Sequence, residues 1–217
     1  MSNNLLVELF VEELPPKALK KLGDAFANSI FESLKTQELT ANNSEFIAYA
    51  SPRRLAVQIS NVSAQADDKA VSQKLMPVSV GLDANGNATP ALIKKLNALG
   101  ADESVLGDLK TENDGKTDVL FFNALAKGAS LAEGLQKALE EALAKLPIPK
   151  VMTYQLSDGW DSVNFVRPAH GLVALHGNKV VPVSVLGLNA NNQTQGHRFE
   201  ASVSPVVLKD ADSYEAQ

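Results

Sequence analysis

The chain has 217 residues, 45% of them hydrophobic, which is enough for one large domain or two small ones around a buried core. It contains no cysteine, so disulfides, thiolate metal sites, zinc fingers and cysteine nucleophiles are excluded, and the composition suits a reducing cytosol. A net charge of −5 argues against a domain that grips nucleic acid over its whole surface and leaves room only for local contact through clustered Lys and Arg.

Leu5 to Val11 alternates as a strand, with Val7, Leu9 and Val11 on one face and Leu6, Glu8 and Phe10 on the other. Pro15-Pro16 ends it. Between Lys17 and Lys35 the residues Leu19, Leu22, Phe26, Ile30 and Leu34 form one helical stripe, and Pro16 suits the first turn. Phe46 to Tyr49 and Leu55 to Val62 read as two strands joined at Ser51-Pro52. Asp67 to Ser72 is a polar connection, and Asp83-Ala84-Asn85-Gly86-Asn87 a turn. Thr89 caps and Pro90 opens a second helix with Leu92, Ile93, Leu96 and Leu99, which Gly100 ends. Leu109 to Thr111 and Val119 to Asn123 form a hairpin around Asn113-Asp114-Gly115. A third helix starts at the capping-box spacing Ser130/Glu133 and carries Leu131, Leu135, Leu139, Leu143 and Leu146 as far as Pro147. Val163 to Val166, Leu172 to Leu175 and Val180 to Val185 are strand-like, with a turn at His176-Gly177-Asn178-Lys179.

The fold class predicted is α+β, a mixed or antiparallel sheet packed by amphipathic helices, because the strands come in hairpin-like runs rather than in βαβ alternation. Residues 1–209 are expected to form this region, with any subdomain break near 64–75 or near 147. Residues 210–217 begin like a helix without its apolar continuation, as the start of an element that the chain cuts short. There is no basic segment followed by a long apolar core at the start, and no apolar run reaches about eighteen residues, so a cytoplasmic protein without membrane contact is expected. Asn61-Val62-Ser63 is then a chance glycosylation match.

Several apparent motifs fail on chemistry. Gly115-Lys116-Thr117 imitates a phosphate-binding loop, but Lys110 stands where its first glycine is needed. Asp83 to Asn87 lacks the glycine position and the terminal glutamate of a calcium loop. His170, His176 and His197 show no metal-ligand spacing, and no serine sits in a Gly-x-Ser-x-Gly elbow, so neither a metal nor a catalytic residue is assigned. The residues suited to binding are Arg53, Arg54, Lys150, Arg167, His170, His197 and Arg198. They lie beside prolines or glycines that stiffen the backbone, and serve either in structural pairing or in contact with RNA or another subunit. Because they head a strand, Arg53 and Arg54 should point to opposite faces. Phe199 reads as core, and Trp160 as an anchor between surface and core.

Taken in order, Leu6-Val7-Glu8-Leu9, Glu12-Glu13-Leu14-Pro15, Pro52-Arg53-Arg54-Leu55, Pro149-Lys150-Val151-Met152, Phe165-Val166-Arg167-Pro168-Ala169-His170 and Gly196-His197-Arg198-Phe199 resemble the N-terminal part of the beta subunit of bacterial glycyl-tRNA synthetase. The chain departs from that pattern at Thr153-Tyr154 and at Gly171. The resemblance implies an architecture like the B3/B4-type domain of phenylalanyl-tRNA synthetase. It also implies a noncatalytic part of a heterotetrameric class II glycine-tRNA ligase, in which an alpha subunit activates glycine with ATP and Mg2+. This chain would bind no cofactor itself. Its implied partners are the alpha subunit, tRNA(Gly) and the remainder of the beta subunit, which carries further helical and anticodon-binding regions. Three roles are compatible with that: tRNA positioning with assembly, a scaffold without RNA contact, or a B3/B4-like editing domain.

Overall fold

A computed structural model describes the backbone of residues 2–217 except positions 84, 100, 114, 116 and 157, and the side chains of these described residues except 70, 103 and 124–126. The predicted glycine stop at Gly100, and the Asp114 and Lys116 positions of the hairpin turn, lie outside the described residues. The chain divides into two compact units, Met1–Ala66 with Ala129–Gln217, and Asp67–Gly128.

The first unit is built on a five-stranded antiparallel sheet. Its strands are β1 (Ser2–Val11), β2 (Phe46–Ser51), β3 (Arg54–Ser63), and, numbered in chain order past three strands of the second unit and the hairpin β7 (Met152–Gln155) and β8 (Ser162–Phe165), β9 (Ala169–His176) and β10 (Lys179–Val180). Their order is β10-β9-β1-β3-β2, so the most apolar strand is central. Helices α1 (Leu19–Thr36) and α4 (Leu131–Lys145) cover one face. Leu5, Val7, Leu9 and Val11 pack there with Leu22, Phe26, Ile30 and Leu34 of α1 and Leu131, Leu135 and Leu139 of α4. The period-2 alternation of β1 and the 3.6-residue stripes of the helices thus meet in one core. The capping box at Ser130 and Glu133 forms as predicted. Helix α1, by contrast, starts two residues later than expected, with Ala18 at its N-cap and Pro16 in the preceding turn.

The opposite face of the sheet carries a smaller cluster of Leu6, Val173, Leu175, Leu208 and Ala211, against which Val206 and Tyr214 pack. Residues 206–217 therefore cross the back of the sheet, and 210–217 form turns rather than regular helix. The predicted strand Val180 to Val185 is two pieces. Pro182, which has no N–H, interrupts it, and β11 (Ser184–Val185) folds back on β12 (Leu188–Asn189) through Leu186 and Gly187, both at positive φ. A last pair, β13 (Gln193–Thr194) with β14 (Val206–Val207), brackets the Gly-His-Arg-Phe segment.

The second unit has its own core of Leu92, Leu96, Leu120 and Phe122 beneath a sheet ordered β4-β6-β5. The strands are β4 (Lys69–Pro77), β5 (Lys110–Asn113) and β6 (Asp118–Ala126). The helices are the single turn α2 (Val78–Gly81) and α3 (Pro90–Ala98), which Thr89 caps by accepting from the Leu92 N–H. The predicted polar connection at 67–72 is partly strand. Lys69, Val71 and Ser72 are exposed at the start of β4, so the stretch lacks the apolar alternation that announces a strand. Asp83 accepts from the backbone N–H groups of Asn85 and Asn87, which makes the 83–87 turn and holds that carboxyl below its usual range.

Candidate functional site

The site lies in the first unit, where the end of β1, the β2–β3 turn, the start of β9 and residues 191–204 come together. Arg53 follows Pro52 in that turn. Its Nη2 donates to Glu12 Oε1 at 3.3 Å, and the guanidinium stacks over the Phe10 ring, 4.9 Å from the centroid. Its Nε is buried and has no hydrogen-bond partner among the described residues. Glu12 also takes His170 Nε2 at 3.0 Å, so one carboxylate anchors an arginine and a histidine that are far apart in sequence.

Arg54 faces the same Phe10 ring, 5.9 Å from its centroid, so the two arginines do not point to opposite faces as expected, because Arg53 sits in the turn rather than in the strand. Arg54 is held by other partners. Its Nη1 lies 3.7 Å from Glu8 Oε2, and its Nη2 donates to the Gln195 carbonyl. Glu8 is buried in the back face of the sheet and accepts from the Thr194 and Tyr214 hydroxyls. Burial, and then the adjacent Glu8 charge, pushes the Tyr214 phenol far above its usual range. Glu8 had a signal in the sequence, as the lone acid in an apolar strand, and a buried charge needs such partners.

Arg167 is turned to the backbone. Nε donates to the Glu13 carbonyl at 2.9 Å, Nη1 to the Val166 carbonyl at 3.0 Å, and Nη1 lies 3.1 Å from Met152 Sδ. His197 sits beside Phe199, with ring centroids 6.2 Å apart, and its Nδ1 lies 3.7 Å from Glu200. Arg198 makes no hydrogen bond or ion pair among the described residues, and Lys150, exposed ahead of β7, lines neither of the cavities described next.

Two cavities adjoin at this place. One, of about 590 Å³, is lined by Phe10, Glu12, Arg53, His170, Arg198 and the amides of Asn191, Gln193 and Gln195. The other, of about 460 Å³, lies between Glu13, Pro52, Arg53, Arg54, His197, Arg198 and Phe199. Arg53, Gly196 and Arg198 belong to both. Of the seven predicted residues the fold brings Arg53, Arg54, His170, His197 and Arg198 to these cavities, puts Arg167 next to them through Glu13, and leaves Lys150 aside.

The aromatic residues correct the sequence reading. Phe199 is 86% exposed and Trp160, at the tip of the β7–β8 hairpin, is 90% exposed, so neither is core. Both sit in turns among polar neighbours, Phe199 between Arg198 and Glu200 and Trp160 between Gly159 and Asp161, where no apolar partner is supplied. The cleft amides were also missed. They have no charge and no periodicity to mark them. Among the described residues no group of three or more His, Asp or Glu side chains could hold a metal ion.

Fold and cleft together define an α+β module with an arginine- and amide-lined cleft at one end of its sheet. The family model described as glycyl-tRNA synthetase beta subunit matches residues 5–217, and the chain belongs to that family. Similar curated proteins include the glycine--tRNA ligase beta subunits of Dechloromonas aromatica (strain RCB), 69% identical over 98% of this chain and 30% of that protein, and of Methylobacillus flagellatus, 66% identical over 99% of this chain and 32% of that protein. That of Acidovorax sp. (strain JS42) is 68% identical over 99% of this chain and 30% of its own length. The chain thus spans about a third of the curated relatives it matches.

Proposed function

We propose that this chain is a noncatalytic part of a glycine--tRNA ligase beta subunit that helps bind and position tRNA(Gly) for glycylation by a cytoplasmic alpha–beta enzyme. ATP and Mg2+ are used at the alpha subunit, and the alpha subunit and the rest of the beta subunit are its protein partners. The observation that carries this reading is the convergence of Arg53, His170, His197 and Arg198, from three separate segments, on two adjoining cavities. The negative net charge makes such local clustering the route by which phosphates are met.

The test is charge reversal in the assembled full-length enzyme. Arg198→Glu is expected to weaken tRNA binding roughly tenfold or more at low salt, to flatten the salt dependence of affinity, and to lower kcat/KM for tRNA with little effect on glycine activation. Unchanged tRNA affinity with the fold intact would overturn the reading.

A scaffold role has an observation of its own. Val151, Met152 and Trp160 on and beside the β7–β8 hairpin are exposed apolar groups in one stretch of chain. If that surface holds the alpha subunit, Trp160→Ala lowers assembly measured by light scattering and leaves tRNA affinity of the residual complex unchanged, with weak dependence on salt.

A further inference from the structure

The two adjoining cavities differ in what they offer, and they share Arg53 and Arg198. The larger one offers several donors: Arg53 Nε is buried and has no hydrogen-bond partner, and the Arg198 guanidinium, Asn191 Nδ2, Gln193 Nε2 and Gln195 Nε2 make no hydrogen bond among the described residues. Asn191 Oδ1 accepts from the Gln193 N–H, and Gln195 Oε1 accepts from the Ser204 hydroxyl. Glu12 Oε1 is occupied by Arg53 and His170. Acceptor oxygens or nitrogens of a ligand would meet the Arg198 guanidinium and these amides, and amides are groups that read the edges of nucleobases. The smaller cavity has Phe199 as one wall, an aromatic face that nothing in the fold covers, with His197 edge-on beside it.

We propose that the pair of cavities holds one dinucleotide step of single-stranded RNA: one base against Phe199, the next nucleotide in the amide-lined cavity, and the phosphodiester between them on Arg53 and Arg198. This rests on the RNA-contact reading above and narrows it from RNA in general to an unpaired step. Three features fit it. Two of the three shared residues, Arg53 and Arg198, are cations, so the anion belongs at the junction. Each cavity, at about 590 and 460 Å³, has the size of a small-ligand site. An exposed aromatic flanked by cationic groups on a short loop suits a base that is already unstacked, whereas a duplex keeps its base faces covered.

The experiment uses the assembled full-length enzyme with three probes: a short single-stranded oligoribonucleotide carrying 4-thiouridine, a blunt RNA hairpin of equal length, and AMP. The single strand is expected to cross-link on irradiation to the peptide that contains Phe199. Phe199→Ala is expected to lower its affinity roughly tenfold and leave that of the hairpin within about twofold, as removal of one base stack requires. Cross-links that map elsewhere, or equal losses for strand and hairpin, overturn the proposal. AMP that binds as tightly as the oligonucleotide overturns it too, and makes the site one for free nucleotide. Intact tRNA separates the two levels of inference. If Arg198→Glu weakens tRNA binding while Phe199→Ala changes neither probe, RNA contact stands and the unpaired step falls. If Arg198→Glu changes nothing, both fall.

Discussion

The Tyr214 hydroxyl donates to the Glu8 carboxylate across 206 positions of sequence, and so ties the crossing segment at the chain's end to the central strand of the sheet. Glu8 is only 1% exposed and has Thr194 as a second donor and Arg54 as counter-ion. Losing one neutral donor to a charged acceptor costs about 1.5–3 kcal/mol, which is the destabilisation expected for Tyr214→Phe. Glu8→Ala leaves Arg54 without its carboxylate and should cost more, about 3–5 kcal/mol. Urea denaturation of both variants checks the ranking. A midpoint for Tyr214→Phe equal to the parent would show that Glu8 is satisfied without the crossing segment.

The three tyrosines carry a pH dependence of one sign. Tyr214 is raised by burial and then by Glu8, Tyr49 by burial and then by Glu215, and Tyr154 by burial. A phenol whose folded pKa lies above its unfolded value binds its proton more tightly in the folded state. Its contribution is complete below about pH 10 and is lost as pH rises through the folded value. Stability is therefore expected to be flat through pH 9 on account of these groups and to fall above 10. Ultraviolet difference titration should show tyrosinate appearing late, together with unfolding. Three groups ionising near pH 10 in the folded protein would contradict it.

Much of this frame was legible in the sequence because local chemistry and tertiary packing agree. The alternation of Leu5 to Val11, the stripe through Leu22, Phe26, Ile30 and Leu34, and the Ser130/Glu133 cap each have one physical reading, and the structure adopts it. What was not legible depends on long-range partners. Asp67 to Ser72 reads as a polar connection, yet Lys69 to Ser72 pair with β6. Phe199 was assigned to core and Trp160 to an anchor between surface and core by residue type, although only their neighbours decide burial. The two arginines were expected on opposite faces, but Arg53 lies in the turn ahead of β3 and both guanidiniums face the Phe10 ring, while the carboxylates that hold them, Glu12 for Arg53 and Glu8 for Arg54, meet them only through β1–β3 pairing.

Gly23 of α1 packs directly against Ala50 of β2. A Cβ built there would lie 2.6 Å from Ala50 Cβ, a stub that has no rotamer to move into. Alanine gains about 1 kcal/mol in helix propensity over glycine, while overpacking a tight contact costs about 1–3 kcal/mol. The clash wins. Gly23→Ala is expected to destabilise by up to about 2 kcal/mol, and Gly23→Ala with Ala50→Gly to recover most of it. A stabilised single variant would mean that helix and strand separate freely here.

Arg167 provides a contrast with Arg198 inside the same Arg-His pattern. Its donors already serve the Glu13 and Val166 carbonyls. Arg167→Ala is expected to cost about 1–2 kcal/mol of stability, from two lost hydrogen bonds, and to leave the salt dependence of RNA affinity as it was. Denaturation and salt titration on the same samples decide it. A shallower salt slope without loss of stability would assign Arg167 to the RNA and make its carbonyl contacts incidental.

The unit of residues 67–128 leaves and rejoins the first unit at neighbouring points. The Ala66 N–H donates to the Ala129 carbonyl at 3.0 Å, Leu131 N–H to Ala64 at 2.9 Å, and Gln65 bridges antiparallel to Ser130. The ends of the first unit are therefore closed by its own hydrogen bonds, and its hydrophobic core contains no residue of the second. Replacing Asp67–Gly128 by two to four Gly and Ser residues should leave α1, α4 and the five-stranded sheet folded. The shorter closing loop should offset part of the lost surface by a small entropic gain, since loop cost grows only slowly with length. Cooperative unfolding within about 1–2 kcal/mol of the parent's first unit, followed by circular dichroism, is the expected result. A shortened chain that is molten would show that the second unit's folding is required to bring Ala66 and Ala129 together, and the division into two independently cored units would not be one of stability.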